Sequence, residues 1–382
     1  MNFDIIVIGA GPAGSAAATW AARQGRQVAL VDKAAFPRNK LCGGLFTERS
    51  RSYYTEIFGQ DFDLSKVVTR SDIAFWYQSN ELAVLHNIPP LHLTMRLPLD
   101  YAMFQHAITA GAADYTDCPI AEITDKTVTF RDGRTISGAV LIGTDGVNSV
   151  VARYLFGAPF NKRTIGFGLE IEVPETIQKP EVQPLRIDFA AATWGYGWSF
   201  PKHASTTVGV GGLHQPNPHM KEHMTAYLES LGLDPTVARF KGHYLPFGDY
   251  RKVPGKANVL LAGDAAGMVD PITGEGIAYA MKSGQIAAQA ACDALDRQAA
   301  ETALFLYVSS LKPLHRNLQL ARHLRAIIFA PKLQKPFINT FRRSGTVRMK
   351  YMQLLAGKIE YPELARGVLT RIPRYFVNAL RR

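Results

Sequence analysis

The chain has 382 residues, 47% of them hydrophobic, enough for two domains around a core that needs no metal or disulfide staples. Cys42, Cys118 and Cys292 lie too far apart for a Cys-x-x-Cys pair or a disulfide framework, so a reducing compartment and no metal centre are expected. The net charge of +11 sits at one end: residues 311–382 hold sixteen Lys and Arg against two acids, while residues 1–310 sum to −3.

An apolar run begins at Phe3 with no basic segment before it, so no secretory signal is expected and a cytoplasmic protein is. Ile5–Ala22 is uncharged and long enough to raise the question of a membrane span. It is alanine-rich and broken by Gly-Pro-Ala-Gly, which predicts a strand, a turn and a helix instead. The expected order is strand Phe3–Ile8, helix Pro12–Gln24, Gly25, then strand Gln27–Val31 ending at Asp32, a βαβ unit. Two more apolar runs stop at Gly/Asp turns: Thr135–Thr144 before Asp145-Gly146, and Ala257–Ala262 before Gly263-Asp264. One sheet built from distant pieces of chain follows.

Between them, Thr164–Val173, Leu185–Phe189, Tyr196–Phe200 and Thr206–Gly211 read as extended segments of an inserted antiparallel sheet, the expected substrate domain. From Ile277 onward helical spacing dominates, with Pro313, Pro331, Pro336, Pro362 and Pro373 expected to cut the tail into short helices. The division expected is residues 1–70, 96–160 and 255–310 for a nucleotide-binding domain, 71–95 and 161–254 for the substrate domain, and 311–382 for a basic helical region. In that region Ile327, Ile328, Phe329, Phe337, Phe341, Tyr375 and Phe376 sit beside basic residues. This pattern suits peripheral contact with an anionic membrane, the alternative being that the same residues pack onto the sheet and the charges are solvated; nucleic acid is not an expected partner.

Gly9-Ala10-Gly11-Pro12-Ala13-Gly14 fits G-x-G-x-x-G in its required setting, with a strand before it, a helix after it and Asp32-Lys33 at the end of the next strand. Glycines there let backbone N–H groups and a helix N-terminus approach a pyrophosphate, and Asp32 can accept ribose hydroxyls. Downstream stand Gly143-Thr144-Asp145-Gly146-Val147-Asn148-Ser149, then Gly263-Asp264-Ala265-Ala266-Gly267, Pro271 and Gly274-Glu275-Gly276-Ile277. These resemble the paired Asp-Gly and Gly-Asp motifs of the para-hydroxybenzoate hydroxylase superfamily. The resemblance implies a Rossmann-like FAD-binding domain, with Asp264 reaching the ribityl chain and the Gly-Glu-Gly-Ile helix start beside the isoalloxazine edge. Arg96, in Arg96-Leu97-Pro98-Leu99-Asp100, matches that superfamily's arginine near the flavin. The arginine usual three residues after the serine of the Asp-Gly motif is Ala152 here, with Arg153 next.

Pro37-Arg38-Asn39-Lys40-Leu41-Cys42-Gly43-Gly44 resembles the signature of the geranylgeranyl reductases, which implies a cysteine close to the flavin. Tyr196-Gly197-Trp198-Ser199-Phe200-Pro201, followed by Gly209-Val210-Gly211, resembles the same family's aromatic element. The family implies reduction of carbon–carbon double bonds in an isoprenoid chain, with an external electron donor, NADPH or a ferredoxin-type carrier. Cys42, Tyr196 and Trp198 are then the candidate catalytic residues. Gly43 and Gly44 leave room for a flat ring, and Tyr196, Trp198 and Phe200 alternate onto one face of a strand with Pro201, Gly209 and Gly211 as substrate contacts. The alternatives are an aromatic monooxygenase or flavin halogenase, which share the nucleotide motifs, and a non-catalytic flavin relay.

Overall fold

The computed structural model describes residues 1–178 and 184–369 as two mixed sheets joined by helices. In the first sheet Asn2–Ile8 lies at the centre, parallel to Val28–Val31 on one side and Thr135–Gly143 on the other. Ala113–Tyr115 adds parallel to Val28–Val31, and Val259–Leu261, the strand the sequence predicts to end at Gly263-Asp264, adds parallel to Thr135–Gly143. Ile5, Ile6, Val7 and Ile8 are all buried, so the strand is covered on both faces and shows no alternation. The helix Pro12–Arg23 lies against the long helix Ile277–Asp296 so closely that a Cβ on Gly284 would come within 2.1 Å of the Ala13 carbonyl oxygen. Alanine-rich sequence is what permits that approach.

The second sheet runs in the order Lys241–Leu245, Gly166–Pro174, Ser205–Leu213, Gly195–Pro201, Arg186–Asp188, Val68–Tyr77, Asn80–Leu93 and Leu45–Thr47. Every neighbouring pair is antiparallel except Arg186–Asp188 against Val68–Tyr77, which is parallel. Two features differ from expectation. The hairpin Val68–Tyr77/Asn80–Leu93, turning at Gln78 and Ser79 with positive φ, escaped notice because no Gly or Pro marks its turn. Leu45–Thr47, expected in the nucleotide-binding unit, pairs with Asn80–Leu93, so the chain crosses between the sheets at about residues 38–47.

Leu169, Ile171, Val173, Val208 and Val210 face one way and pack against the helix Met220–Ser230. The opposite face carries Tyr196, Trp198 and Phe200 and is covered by the C-terminal helices Lys312–Phe329, Pro331–Arg343, Gly345–Leu355 and Tyr361–Leu369. Pro313, Pro331 and Pro362 stand at or next to helix starts, where a missing N–H costs little. Pro336 does not cut its helix: it sits on the exposed side of Pro331–Arg343, which is held by the buried Ile338 and Phe341. Pro373 lies outside the described residues. Of the side chains expected at a lipid surface, Ile328, Phe329 and Phe341 are buried in this core and Phe337 packs against it, so packing onto the sheet accounts for them; Ile327 is exposed, and Tyr375 and Phe376 lie outside the described residues.

Buried polar contacts fasten this cover to the rest. The Tyr361 hydroxyl donates to the Asp270 carboxylate, with both oxygens within 2.8 Å. Arg49, only 5% exposed, reaches Glu360 at 2.6 Å, the Leu354 carbonyl at 2.9 Å and Glu275 at 3.3 Å. Replacing Tyr361 by Phe leaves the ring in place and removes only these bonds. The substitution should lower unfolding free energy by about 1–3 kcal/mol, read as a reduced denaturation midpoint with an unchanged m-value; an unchanged midpoint would mean that the tyrosine acts by packing alone.

Candidate functional site

One cavity of about 790 Å³ lies between the two sheets, and loops from both sheets and the C-terminal helices enclose it. Its first end is the glycine turn. Gly9 has φ +106°, and a Cβ there would strike Thr144, so the position excludes side chains. Gly14 does not line the cavity: a Cβ on it would lie 1.7 Å from the Gly9 carbonyl oxygen, so its absence lets the helix meet the turn. Gly11 and Ala13 do line it, at the start of a helix that has no side-chain cap. Those N–H groups and the helix dipole are open to an anion.

Asp32 and Lys33 line the same end. The Asp32 carboxylate accepts the N–H of Ala10 at 2.8 Å and of Ala34 at 2.9 Å, so it braces the turn as well as facing the cavity. Arg38 approaches Asp32 at 4.0 Å and Asp100 at 3.3 Å, with its guanidinium beside Gly11. Asp145 and Gly146 line the cavity, but the Asp145 carboxylate accepts the Ser149 hydroxyl and the Val150 N–H and thereby caps the helix Val150–Phe156. Ala152 is buried in that helix and Arg153 is exposed, so Arg153 does not substitute for the displaced arginine.

Beside the glycine turn stands the Gly-Asp segment. Asp264, Pro271, Gly274, Gly276 and Ile277 line the cavity, and the helix starting at Ile277 again has no side-chain cap. Among the described residues no group donates a hydrogen bond to the Asp264 carboxylate, which leaves it for a ligand. Gly263 lies behind this wall, where a Cβ would come within 2.9 Å of the Ala13 Cβ.

The crossing loop brings Cys42, Gly43 and Gly44 to the middle of the cavity. Arg96 is 7% exposed and pairs with Asp100 through Nε at 2.6 Å and a terminal nitrogen at 2.8 Å. Burial opposes its charge, but Asp100 and the adjacent Cys42 outweigh that and hold the guanidinium protonated. The glycine pair has a different reason from the one expected. A Cβ on Gly43 would lie 3.1 Å from the Phe200 ring and 3.2 Å from Trp198 Nε1, and one on Gly44 only 2.0 Å from the Thr94 carbonyl, so the protein itself fills that space.

The same holds for Gly209 and Gly211. Trp198 lies flat on the sheet over them, and a Cβ on Gly209 would come within 2.4 Å of the indole. Gly211 lines the cavity, whereas Gly209 and Pro201 do not. Tyr196, Trp198 and Phe200 share the cavity face as predicted. The Tyr196 hydroxyl donates to the Thr273 carbonyl at 2.5 Å, so it ties the aromatic strand to the Gly-Glu-Gly-Ile loop, and burial pushes its pKa up. Trp198 Nε1–H has no acceptor among the described residues.

Beyond these aromatics the cavity continues into an apolar arm walled by Ile73, Leu185, Ile187, Phe329, Tyr351 and Leu355, the last three from the C-terminal helices. Sequence reading missed this arm, and it also missed Arg38, Glu170 and His243 as cavity residues. Arg38 was within reach, since it stands inside the Cys-Gly-Gly signature. His243 carries no motif; burial, with Lys40, Arg96 and Lys33 nearby, pushes its pKa down to about 4, so it is neutral at physiological pH.

A family model described as FAD dependent oxidoreductase matches residues 4–79. The chain is 32% identical over 308 residues to a geranylgeranyl diphosphate reductase of Rhodobacter capsulatus, covering 76% of this chain and 75% of that one. It is 30% identical over 311 residues to a menaquinone reductase of Mycolicibacterium smegmatis, covering 75% of each. A solved geranylgeranyl bacteriochlorophyll reductase-like protein from Thermoplasma acidophilum has the same fold, with a TM-score of 0.76, 20% identity and coverage of 97% of this chain and 99% of that one.

The cofactor is FAD, and the residues present fit it: two uncapped helix starts face one cavity, the glycine turn stands at one of them, and the unpartnered Asp264 carboxylate lines the same cavity beside it. Replacing Asp264 by Ala should weaken FAD binding by ~1–3 kcal/mol, roughly 5- to 150-fold. Flavin absorbance retained after gel filtration, relative to the unaltered protein, measures it; equal retention would remove Asp264 from the binding set.

Proposed function

Since the chain belongs to the geranylgeranyl reductase family of FAD-dependent oxidoreductases, we propose that it reduces carbon–carbon double bonds in an isoprenoid chain. The observation that carries this reading is the continuity of the cavity, from the phosphate-facing glycine turn past Cys42 into the apolar arm beneath the C-terminal helices. A geranylgeranyl diphosphate and a menaquinone share a methyl-branched polyprenyl chain, and an arm of this chemistry would bind it by burial at roughly 25 cal/mol per Å².

FAD, when bound, supplies the hydride. An isolated alkene has no carbonyl to polarise it, so the second carbon also needs a proton, delivered where water cannot intercept a developing cation. Cys42 stands at the junction of cradle and arm, half-buried, with a thiol small enough to face the chain. Its Sγ accepts the Gly44 N–H at 3.4 Å, which fixes the sulfur relative to the cavity. We assign the proton to Cys42. Tyr196, Trp198 and Phe200 act by shaping and drying the wall; Tyr196 keeps its proton engaged with Thr273. An external donor, NADPH or a ferredoxin-type carrier, would have to restore the electrons.

Mass spectrometry of lipids co-extracted with the purified protein tests the substrate class, with a polyprenyl compound as the expected result. Cys42→Ser should leave FAD content unchanged and slow polyprenyl-dependent reoxidation roughly a hundredfold, because a hydroxyl is a far weaker acid than a thiol. Unchanged stopped-flow rates would return Cys42 to a packing role.

A polyprenyl chain is nearly insoluble in water and has to be collected from a bilayer surface; among the described residues no helix is long and apolar enough to cross a membrane. The exposed Lys332, Lys335, Arg342 and Arg343, with Leu333 at 46% exposure between them, form the face we assign to that contact. Each charge adds at most about 1 kcal/mol, screened within ~8 Å at physiological salt. Co-sedimentation with vesicles should rise with anionic lipid and fall on reversing Arg342 and Arg343 to Glu. Equal sedimentation with neutral and anionic vesicles would refute the contact.

A further inference from the structure

Beneath Cys42, on the second sheet, lies a carboxylic acid that no motif marks. Glu170 belongs to the strand Gly166–Pro174, lines the cavity and is 6% exposed. Its neighbours Leu169 and Ile171 point to the other face of the sheet, into the core around Met220–Ser230. Glu170 Oε1 accepts the backbone N–H of Cys42 at 2.9 Å, a bond between residues 128 apart in sequence. This bond anchors the crossing loop at the residue assigned the proton.

The charged groups around Glu170 do not neutralise it. On its own strand stands Glu172. From the end of Gly195–Pro201 comes Lys202, which is 4% exposed and whose Nζ lies 3.5 Å from Glu172, so its charge is committed there. Lys40 approaches from the crossing loop, and Lys241 lies across on Lys241–Leu245 with an exposed side chain. Gly209, opposite on Ser205–Leu213, brings no group at all. Among the described residues no cation is within 4.0 Å of the Glu170 carboxylate. Burial therefore dominates and pushes its pKa up to about 7, with Lys202 and the Cys42 N–H pulling the other way.

We propose that Glu170 is a positioning residue that holds the Cys42–Gly44 turn in place and that its ionisation closes the cavity to apolar chains. The proposal rests on the reading of the apolar arm as a polyprenyl site. The neutral acid still accepts the Cys42 N–H through its carbonyl oxygen and leaves the sheet wall uncharged, as His243 already is. The anion draws water into a space that must be dry, and apolar binding weakens. The sign follows: with a raised pKa the binding-competent neutral form predominates below about pH 7 and is lost above it.

Two substitutions separate the roles. E170Q keeps an acceptor for the Cys42 N–H and cannot ionise. E170D ionises but is one methylene too short for that bond. The probe is geranylgeraniol, titrated into holoenzyme and read from the flavin absorbance. In the unaltered protein its Kd should rise about tenfold between about pH 6 and about pH 8, the factor by which the neutral fraction falls. E170Q should bind with no such rise. E170D should retain a rise and alkylate faster at Cys42 with iodoacetamide, located by peptide mass spectrometry, while E170Q alkylates at the unaltered rate. A pH dependence identical in E170Q and the unaltered protein would overturn the gating role, and equal alkylation of all three would overturn the positioning role. If geranylgeraniol binds at no pH, the substrate reading falls. Infrared titration of the resting holoenzyme then decides separately: a protonated-carboxyl band that disappears near neutrality and is missing in E170Q upholds the titrating acid, and no such band in the unaltered protein refutes it.

Discussion

Arg49 is one guanidinium on which three remote parts of the chain converge. It sits just after the crossing loop, reaches back to Glu275 in the cofactor loop, and reaches forward to the Leu354 carbonyl and Glu360 in the C-terminal cover. Burying it is costly, and burying Glu275 beside it equally so, since neither has solvent to fall back on. The arrangement is tolerated because each charge is answered: Glu275 also accepts the Thr47 hydroxyl, and Asn317 donates to the second oxygen of Glu360 at 2.7 Å. Burial works against the arginine's charge, but Glu275 and Glu360 together hold it protonated. Breaking one arm of this hub would leave the others unpaired in a low-dielectric interior. The relative placement of cradle, loop and cover is thus all-or-none.

Within that frame the second sheet does something ordinary sheets do not. Glycines at 168, 209 and 211 clear a strip on the cavity face, and Trp198 lies down in it. Laid flat, it presents its face and lets Gly43 approach within contact distance. The glycines that look like room for a ligand are thus room for the protein's own side chains, and the ligand's room is what remains when those are packed.

This explains which parts of the site were legible. Glycines at positive φ or against a backbone carbonyl, such as Gly9 and Gly14, leave a mark because no other residue fits, and the strand–turn–helix setting makes the mark readable. The parallel core strands, being buried on both faces, are equally plain in sequence. Glu170 and Arg49 leave none: each is a single polar residue whose meaning depends on a partner 128 to 311 positions away, and His243 likewise stands in no motif. The cover stayed ambiguous for a related reason. Its apolar residues are interleaved with Lys and Arg, a pattern that a lipid surface and a sheet with solvated outer charges both satisfy, and only their burial assigns Ile328, Phe329 and Phe341 to the sheet.

The Asp270–Tyr361 bond has a further consequence for how the protein is made. Tyr361 lies 91 residues beyond Asp270, and the helices that roof the cavity follow every strand of both sheets in the chain. Until those helices have been made, a nascent chain therefore leaves the aromatic face of the second sheet, Phe75, Phe189 and Trp198 included, open to solvent. A chain without those helices would expose this apolar wall, the surface on which unfolded and partly folded chains associate.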